Sequence, residues 1–353
     1  MKILCVGYAL EKASGVTTFV ERTAAELRSL GHAVDIVDVA KDGDRTNCVA
    51  NYDVVHLHGL WQLRRYAKAA YDANVPVVWS THGMTAPWAL RHKWLKKKIA
   101  WWLFQKRDLK KAAAIHCTTE QEAEWNKRLG LRNCFVAPLG CELSHVNRID
   151  GRWDDGRVER VDRVDRVLLF VGRMHPVKGL ENLIRAWGLV GSCESLVVSG
   201  QRWKLRIVGP DEDGYLARLK SEVRSLGLDH SIEFAGPKYE EDLNREYENC
   251  DCLVLPSFTE NFGATIVDAM AHCKPVIAST FTPWREVAEE KCGWWVSNEP
   301  DKLAATIREM MNIGDVRRRG MGARGRILAE EKYSWEAVAL RLSDVYSKLS
   351  DTN

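Results

Sequence analysis

The chain has 353 residues, 46% hydrophobic and 28% charged, the balance of a globular protein with room for two cores of roughly 150 residues each. No run of about 18 apolar residues is free of charge, which excludes a membrane-spanning helix, and MKILCVGYAL lacks the pattern of an export signal, so cytoplasmic residence is the expectation. The net charge of +3 hides an asymmetry: residues 1–140 hold 21 Lys and Arg against 13 Asp and Glu, and the rest of the chain holds 30 against 35.

In chain order, KILCVGY (2–8) reads as a buried strand, EKASG (11–15) as a polar loop and VTTFVERTAAELRSLG (16–31) as an amphipathic helix. The unit recurs. AVDIVDV, DVVHLHG, VPVVWSTHG, AAIHCTT and NCFVAPLG are further strands, each running into a polar or Gly-containing turn. His58 and His82 each end a strand and precede a glycine, and His56 is expected to point to the opposite face of its strand from His58. Residues 91–111, RHKWLKKKIAWWLFQKRDLKK, place nine Lys or Arg against one acid, and a helix there puts Leu95, Ile99 and Trp102 on one face. Such a helix either lies on an anionic membrane surface or buries its apolar face at home. Nucleic acid is not expected, because no nucleic-acid-binding motif accompanies the stretch.

Residues 147–166 alternate charge with valine and read as an interdomain connection. Beyond them come RVLLFVGR, KLRIVGP, SIEFAGP, DCLVLPS and KPVIAST, again strands followed by helical patterns. Strands alternating with helices imply α/β architecture with parallel sheets, here two Rossmann-like domains with ligand at the strands' carboxyl ends. The expected domains are 1–160 and 161–332, with a helix at 333–353 returning to the first. The ten cysteines form no CxxC pair and read as reduced, mostly buried small hydrophobes.

The strongest chemical signal is FVGRMHPVKGLENLIRAW (170–187), where Arg173 and Lys178 leave one loop just before a helix. Two cations beside the unsatisfied amides of a helix start suit a multiply charged anion, and diphosphate is the natural ligand. PSFTENFGATIVDAMA (256–271) then places Glu260 and Asp268 on either side of a helix mouth. By themselves the two acids could be an acid/base pair, as in a glycoside hydrolase, or two grips on one ligand. Asp211 and Asp213 in GPDEDGY read as helix-start acids rather than a metal pair.

With GRMHPVKG, IVGPDEDGY, LPSFTENFG and TPWREVAEEKCGWWV in view, the chain resembles the retaining, nucleotide-sugar-dependent glycosyltransferases of family 4, of the bacterial surface-polysaccharide type. The resemblance implies the GT-B fold, two Rossmann-like domains whose sheets face across a cleft. It implies transfer of a hexosyl unit from a nucleotide diphosphate sugar to a glycan or lipid-linked acceptor, with retention and without a metal or other cofactor. Glu260 would hold the sugar with the amides of Asn261, Phe262, Gly263 and Ala264, Asp268 would bind ribose, and Arg173 and Lys178 would steady the leaving diphosphate. Gly15, flanked by Ser14 and Val16, would approach the phosphates from the first domain, and His82 would border the reacting carbon. The sequence departs from the family pattern at Asp268, usually Glu, at Leu139, often Asn, and at Cys273, usually Gly. An epimerase on the same fold, or an inactive nucleotide-sugar-binding homologue, are the competing expectations.

Overall fold

In a computed structural model, the structure describes all residues except 11–14, 92–93, 144–147, 150–151, 154–164, 192–195, 199 and 352–353. Ser14, the expected boundary at 160 and most of the expected connection lie outside the described residues. The chain divides into two compact units, Met1–Gly140 with Lys332–Asn353, and Cys141–Glu331.

The first unit is built on β1 (Lys2–Gly7), β2 (Ala33–Asp38), β3 (Val54–His58), β4 (Val77–Ser80), β5 (Ala114–Cys117) and β6 (Cys134–Val136). All neighbours are parallel, in the order β2-β1-β3-β4-β5-β6. Helices α1 (Gly15–Ser29), α2 (Arg64–Asp72) and α3 (Glu120–Arg128) connect them. Both faces are covered, which is why β3 and β4 are buried along their whole length. On one face Leu57, Trp79 and Ile115 pack on Tyr66, Ala67 and Ala70 of α2. The other face packs Phe19, Val20 and Leu27 of α1 against the helix at the chain's end.

In the second unit, β7 (Asp165–Val171), β8 (Leu196–Val198), β9 (Gln201–Val208), β10 (Ile232–Gly236), β11 (Cys252–Leu255), β12 (Val276–Ser279) and β13 (Gly293–Val296) alternate with α4 (Leu180–Val190), α5 (Tyr215–Ser225), α6 (Glu240–Asn249), α7 (Ala264–Ala271), α8 (Pro300–Asn312) and α9 (Asp315–Leu328). The parallel order is β10-β9-β7-β11-β12-β13, with β8 antiparallel on the near end of β9. Among the parallel strands the first, β7, therefore lies beside the fourth, β11, the crossover point at which doubly wound sheets open for ligands. The GWWV segment is the edge strand β13.

The last helix, α10 (Trp335–Ser350), belongs with the first unit. Ser334 caps it by accepting from the Ala337 amide at 3.1 Å. Its inner stripe, Trp335, Val338, Leu342 and Tyr346, is buried against the sheet and α1. Gly140 is required where it stands, since a Cβ there would meet the Trp335 ring at 2.2 Å. Leu139 packs against the same cluster, which gives this departure from the family pattern a structural use.

Because α10 closes the core of the first unit from the far end of the sequence, truncating its stripe destabilises that unit. Leu342→Ala is expected to cost about 2–5 kcal/mol in denaturant unfolding. A loss below about 0.5 kcal/mol would show that the helix is not part of that core.

Candidate functional site

At the crossover point of the second unit, the loop after β7 meets the loop after β11. Lys178 closes a single 3₁₀ turn, Pro176–Lys178, capped by His175, and Gly179 follows with φ +70°. That glycine is obligatory: a Cβ would lie 2.2 Å from the Pro256 carbonyl oxygen. The Phe258 amide donates to the Val177 carbonyl at 2.8 Å, and Asn298 donates to the Pro256 carbonyl at 3.0 Å. This close seam delivers Lys178 to Glu260, Nζ to Oε1 at 2.6 Å, with side-chain exposures of 16% and 11%. The Ser257 hydroxyl donates to the same carboxylate oxygen at 2.7 Å.

Glu260 stands just before α7, whose N-cap Gly263 has φ +86° and contributes no side-chain cap bond. A side chain there would press on Leu255 and Trp284, and the Trp284 indole N–H donates to the Phe262 carbonyl, pinning the helix mouth from behind. Phe262 itself is buried and meets Trp284 edge-on at 5.2 Å, so its ring is packing and only its backbone can face a ligand. Nothing in the sequence pattern marks Trp284 as a brace, a role that depends on this tertiary contact.

Arg173 leaves the same β7 loop, but both its Nη1 bonds, at 2.7 and 2.6 Å, go to Glu212. The two cations are thus held by two carboxylates rather than standing bare. Asp211 accepts from the Leu216 amide at 2.9 Å, as a helix-start acid does. Among the described residues, no group of three or more His, Cys, Asp or Glu is placed to hold a metal ion.

Asp268 lies inside α7. Burial pushes its carboxyl up to about 7, with Glu142 adding in the same direction against the hydrogen bond from the Tyr247 hydroxyl at 3.4 Å. Cys273, just beyond α7, takes φ +56°, a left-handed conformation at the position where the family pattern has glycine.

In the first unit, Gly15 opens α1, exposed and with open space around it. Four histidines gather at and near the ends of β3, β4 and β5. His58 Nδ1 lies 3.2 Å from His82 Nε2, and the rings of Phe19 and His82 sit 5.7 Å apart. The expectation for His56 is corrected: its ring lies 4.0 Å from that of His58. Residues two apart on a strand share a face, so the two were bound to be neighbours.

His82 occupies the left-handed region at φ +44° and is followed by Gly83 at +72°. Glu122, in the first turn of α3, holds this loop. Its Oε1 accepts from the Thr81 hydroxyl and the Gly83 amide, and its Oε2 accepts from the Thr118 amide and hydroxyl. Burial would raise its carboxyl, yet the bonds from Thr81, Gly83 and Thr118 hold it below the usual carboxylate range. Burial pushes His82 down to about 4, aided by His116 and opposed by Glu122, and pushes His56, His58 and His116 down as well.

The helix expected over 91–111 is present at 94–111, continuous through a π-helical turn at Trp101–Gln105. Leu95, Ile99, Trp102 and Leu103 are all more than half exposed, so this apolar face is not buried at home. The one acid of the stretch, Asp108, is turned inward and paired with Arg64.

Two family models match the chain: residues 152–327 match glycosyl transferases group 1, and residues 49–141 match the glycosyl transferase 4-like domain. A D-inositol 3-phosphate glycosyltransferase of Corynebacterium kroppenstedtii is 30% identical over 186 residues, 51% of this chain and 40% of that protein. The chain spans about half the length, or less, of the first curated relatives it matches. Among solved structures, a glycosyltransferase from Rickettsia africae superposes with a TM-score of 0.78 at 18% identity, over 100% of this chain and 99% of that one. Anabaena Alr3699/HepE in complex with UDP gives 0.76 at 18% identity, over 99% and 100%. These likenesses establish the fold as GT-B.

Two titration experiments follow. The histidines are neutral in the fold and take protons more readily once unfolded, so their contribution is complete above about pH 6.5 and is lost as pH falls toward about 4. Unfolding of the first unit should therefore become steadily easier over that window, read by urea titrations at a series of pH values; a flat profile would mean that the cluster is hydrated. Asp268→Asn should unfold at higher temperature than wild type at pH 8, by about 2–4 °C for each kcal/mol relieved, with the gap narrowing as pH falls below about 7 and closing only below about pH 4, where the acid is neutral in the unfolded chain as well.

Proposed function

From the premise that the chain carries a glycosyltransferase group 1 domain and a glycosyl transferase 4-like domain, we propose that it transfers a hexosyl unit from a nucleotide diphosphate sugar to a glycan or lipid-linked acceptor. The observation that carries this reading is the Lys178–Glu260 pair at the crossover point of the second sheet, beside the uncapped start of α7. The lysine's further N–H groups and the helix start would take the leaving diphosphate as its charge grows, with Arg173 exchanging Glu212 for a phosphate oxygen. Glu260, held by Lys178 and Ser257, would accept hydrogen bonds from sugar hydroxyls, and the backbone of Asn261, Phe262, Gly263 and Ala264 would lie along the phosphates. Asp268 would meet the ribose. Roles for Gly15 and His82 rest on the family resemblance. That no metal or other cofactor takes part rests on the family resemblance. Retention of configuration and a place in bacterial surface-polysaccharide assembly rest on the family resemblance. The UDP complex of the Anabaena neighbour supports a nucleotide donor.

The exposed apolar residues of 94–111, in a stretch whose one acid is turned inward, support work at an anionic membrane surface, where a lipid-linked acceptor would be met. No helix among the described residues is long and apolar enough to cross a membrane.

A thermal-shift screen over nucleotide diphosphate sugars tests the donor site, since a ligand held only by the native state raises the melting temperature. One or more are expected to stabilise wild type, and Lys178→Ala and Arg173→Ala should each lose most of the shift; equal shifts in all three proteins would remove the diphosphate assignment. For the membrane contact, flotation with vesicles containing phosphatidylglycerol should capture wild type at low salt and not Trp102→Glu. Capture of both, or of neither, would count against it.

A further inference from the structure

The proton positions in the buried histidine cluster can be worked out from one fixed end. The Ala137 carbonyl only accepts, so the His116 nitrogen 2.7 Å away, Nε2, carries the proton and donates to it. His116 is neutral, so its Nδ1 accepts from the Ser80 hydroxyl at 2.6 Å. Ser80 Oγ has then spent its proton, and it accepts from His56 Nε2 at 2.6 Å. That leaves His56 Nδ1 to accept from the Tyr346 hydroxyl at 2.5 Å. A directed chain runs from α10 through β3 and β4 to β5 and the segment after β6, and every tautomer along it is determined.

His58 and His82 stand beside this chain and are settled by a different fact. His58 Nε2 is buried and has no partner among the described residues. An orphaned buried N–H is the rarer and costlier state, so that nitrogen is the bare one and the proton sits on Nδ1. His58 Nδ1–H therefore donates to His82 Nε2 at 3.2 Å. A neutral His82 must then hold its own proton on Nδ1. That nitrogen makes no hydrogen bond among the described residues and, unlike His58 Nε2, is not sealed from solvent. Glu122 keeps the loop in the left-handed turn that holds the ring there.

We infer that His58 is a positioning residue that fixes His82 as the Nδ1–H tautomer, so that His82 presents a hydrogen-bond donor to an oxygen of the sugar while its one lone pair, on Nε2, is engaged by His58. The substrate end of this inference rests on the sugar-transfer reading; the tautomer does not, because it is a property of the unliganded chain. No proton leaves the substrate for His82, which suits a displacement in which the enzyme supplies no nucleophile or base from this position.

The test is long-range proton–nitrogen NMR on the full chain labelled with ¹⁵N-histidine, without ligand at pH 7.5. For His82, Nδ1 should resonate in the protonated range and Nε2 in the unprotonated range, with His58 showing the same tautomer. His58→Asn, whose amide can donate from the same place as Nδ1, should keep the His82 pattern, and His58→Leu should shift it toward a mixture. A His82 protonated at Nε2 in wild type overturns the inference whatever the variants do, and so does a His82 pattern unmoved in folded His58→Leu. If His58→Leu fails to fold, the wild-type spectrum and the Asn variant decide. Loss of the sugar-transfer reading by thermal shift would leave this spectrum unchanged, so the two failures are distinguishable.

Discussion

The arrangement of the second unit turns on one close approach: the Gly179 backbone lies against the Pro256 carbonyl with no room for a side chain between them. Two loops that leave non-adjacent parts of the sequence are thereby held at one seam, and the seam lies where β7 and β11 are neighbours. The Lys178–Glu260 pair, the uncapped start of α7 and the Trp284 brace behind it all follow from that contact. A larger residue at 179 would part the loops and separate the lysine from its carboxylate, which is why glycine is needed for its size as well as for its positive φ.

The first unit solves a different problem. It must hold a histidine in a strained turn at the end of a strand and keep it neutral, and it does so with groups that are themselves neutral or fully satisfied. Glu122 is the exception in charge but not in satisfaction, since both its oxygens accept two bonds. The cost of burying that carboxylate is offset locally, and the offset orders the Thr81–Gly83 backbone. Tyr346 joins the last helix to the neighbouring His56–Ser80–His116 chain, so α10 is tied to the strands of the first unit by its packing stripe and by a hydrogen bond.

Much of the fold was legible because both sheets are buried on two faces and their strands read as short apolar runs closed by Gly, Pro or polar turns. The cation pair at 173 and 178 and the helix mouth at 260–264 were legible for the same local reason: strand, loop and helix succeed one another within a few residues. What the sequence could not show were pairings across distance. That Lys178 already has a carboxylate partner, that Glu212 occupies Arg173, and that Glu122 faces the His82 loop are facts about which strands become neighbours. The misplacement of His56 was of another kind, since the two-residue period of a strand already put it beside His58. In residues 91–111 the helical period was right for Leu95, Ile99 and Trp102, yet periodicity cannot say whether an apolar face is covered; here it is exposed.

The central claim is that the seam at the crossover point of the second sheet receives a nucleotide diphosphate. Hydrogen–deuterium exchange with and without UDP reads this at the backbone. The account predicts that protection rises in peptides covering 172–180 and 257–266 and not at the edge strand Gly293–Val296. Protection absent from both of those segments while UDP demonstrably binds would contradict it.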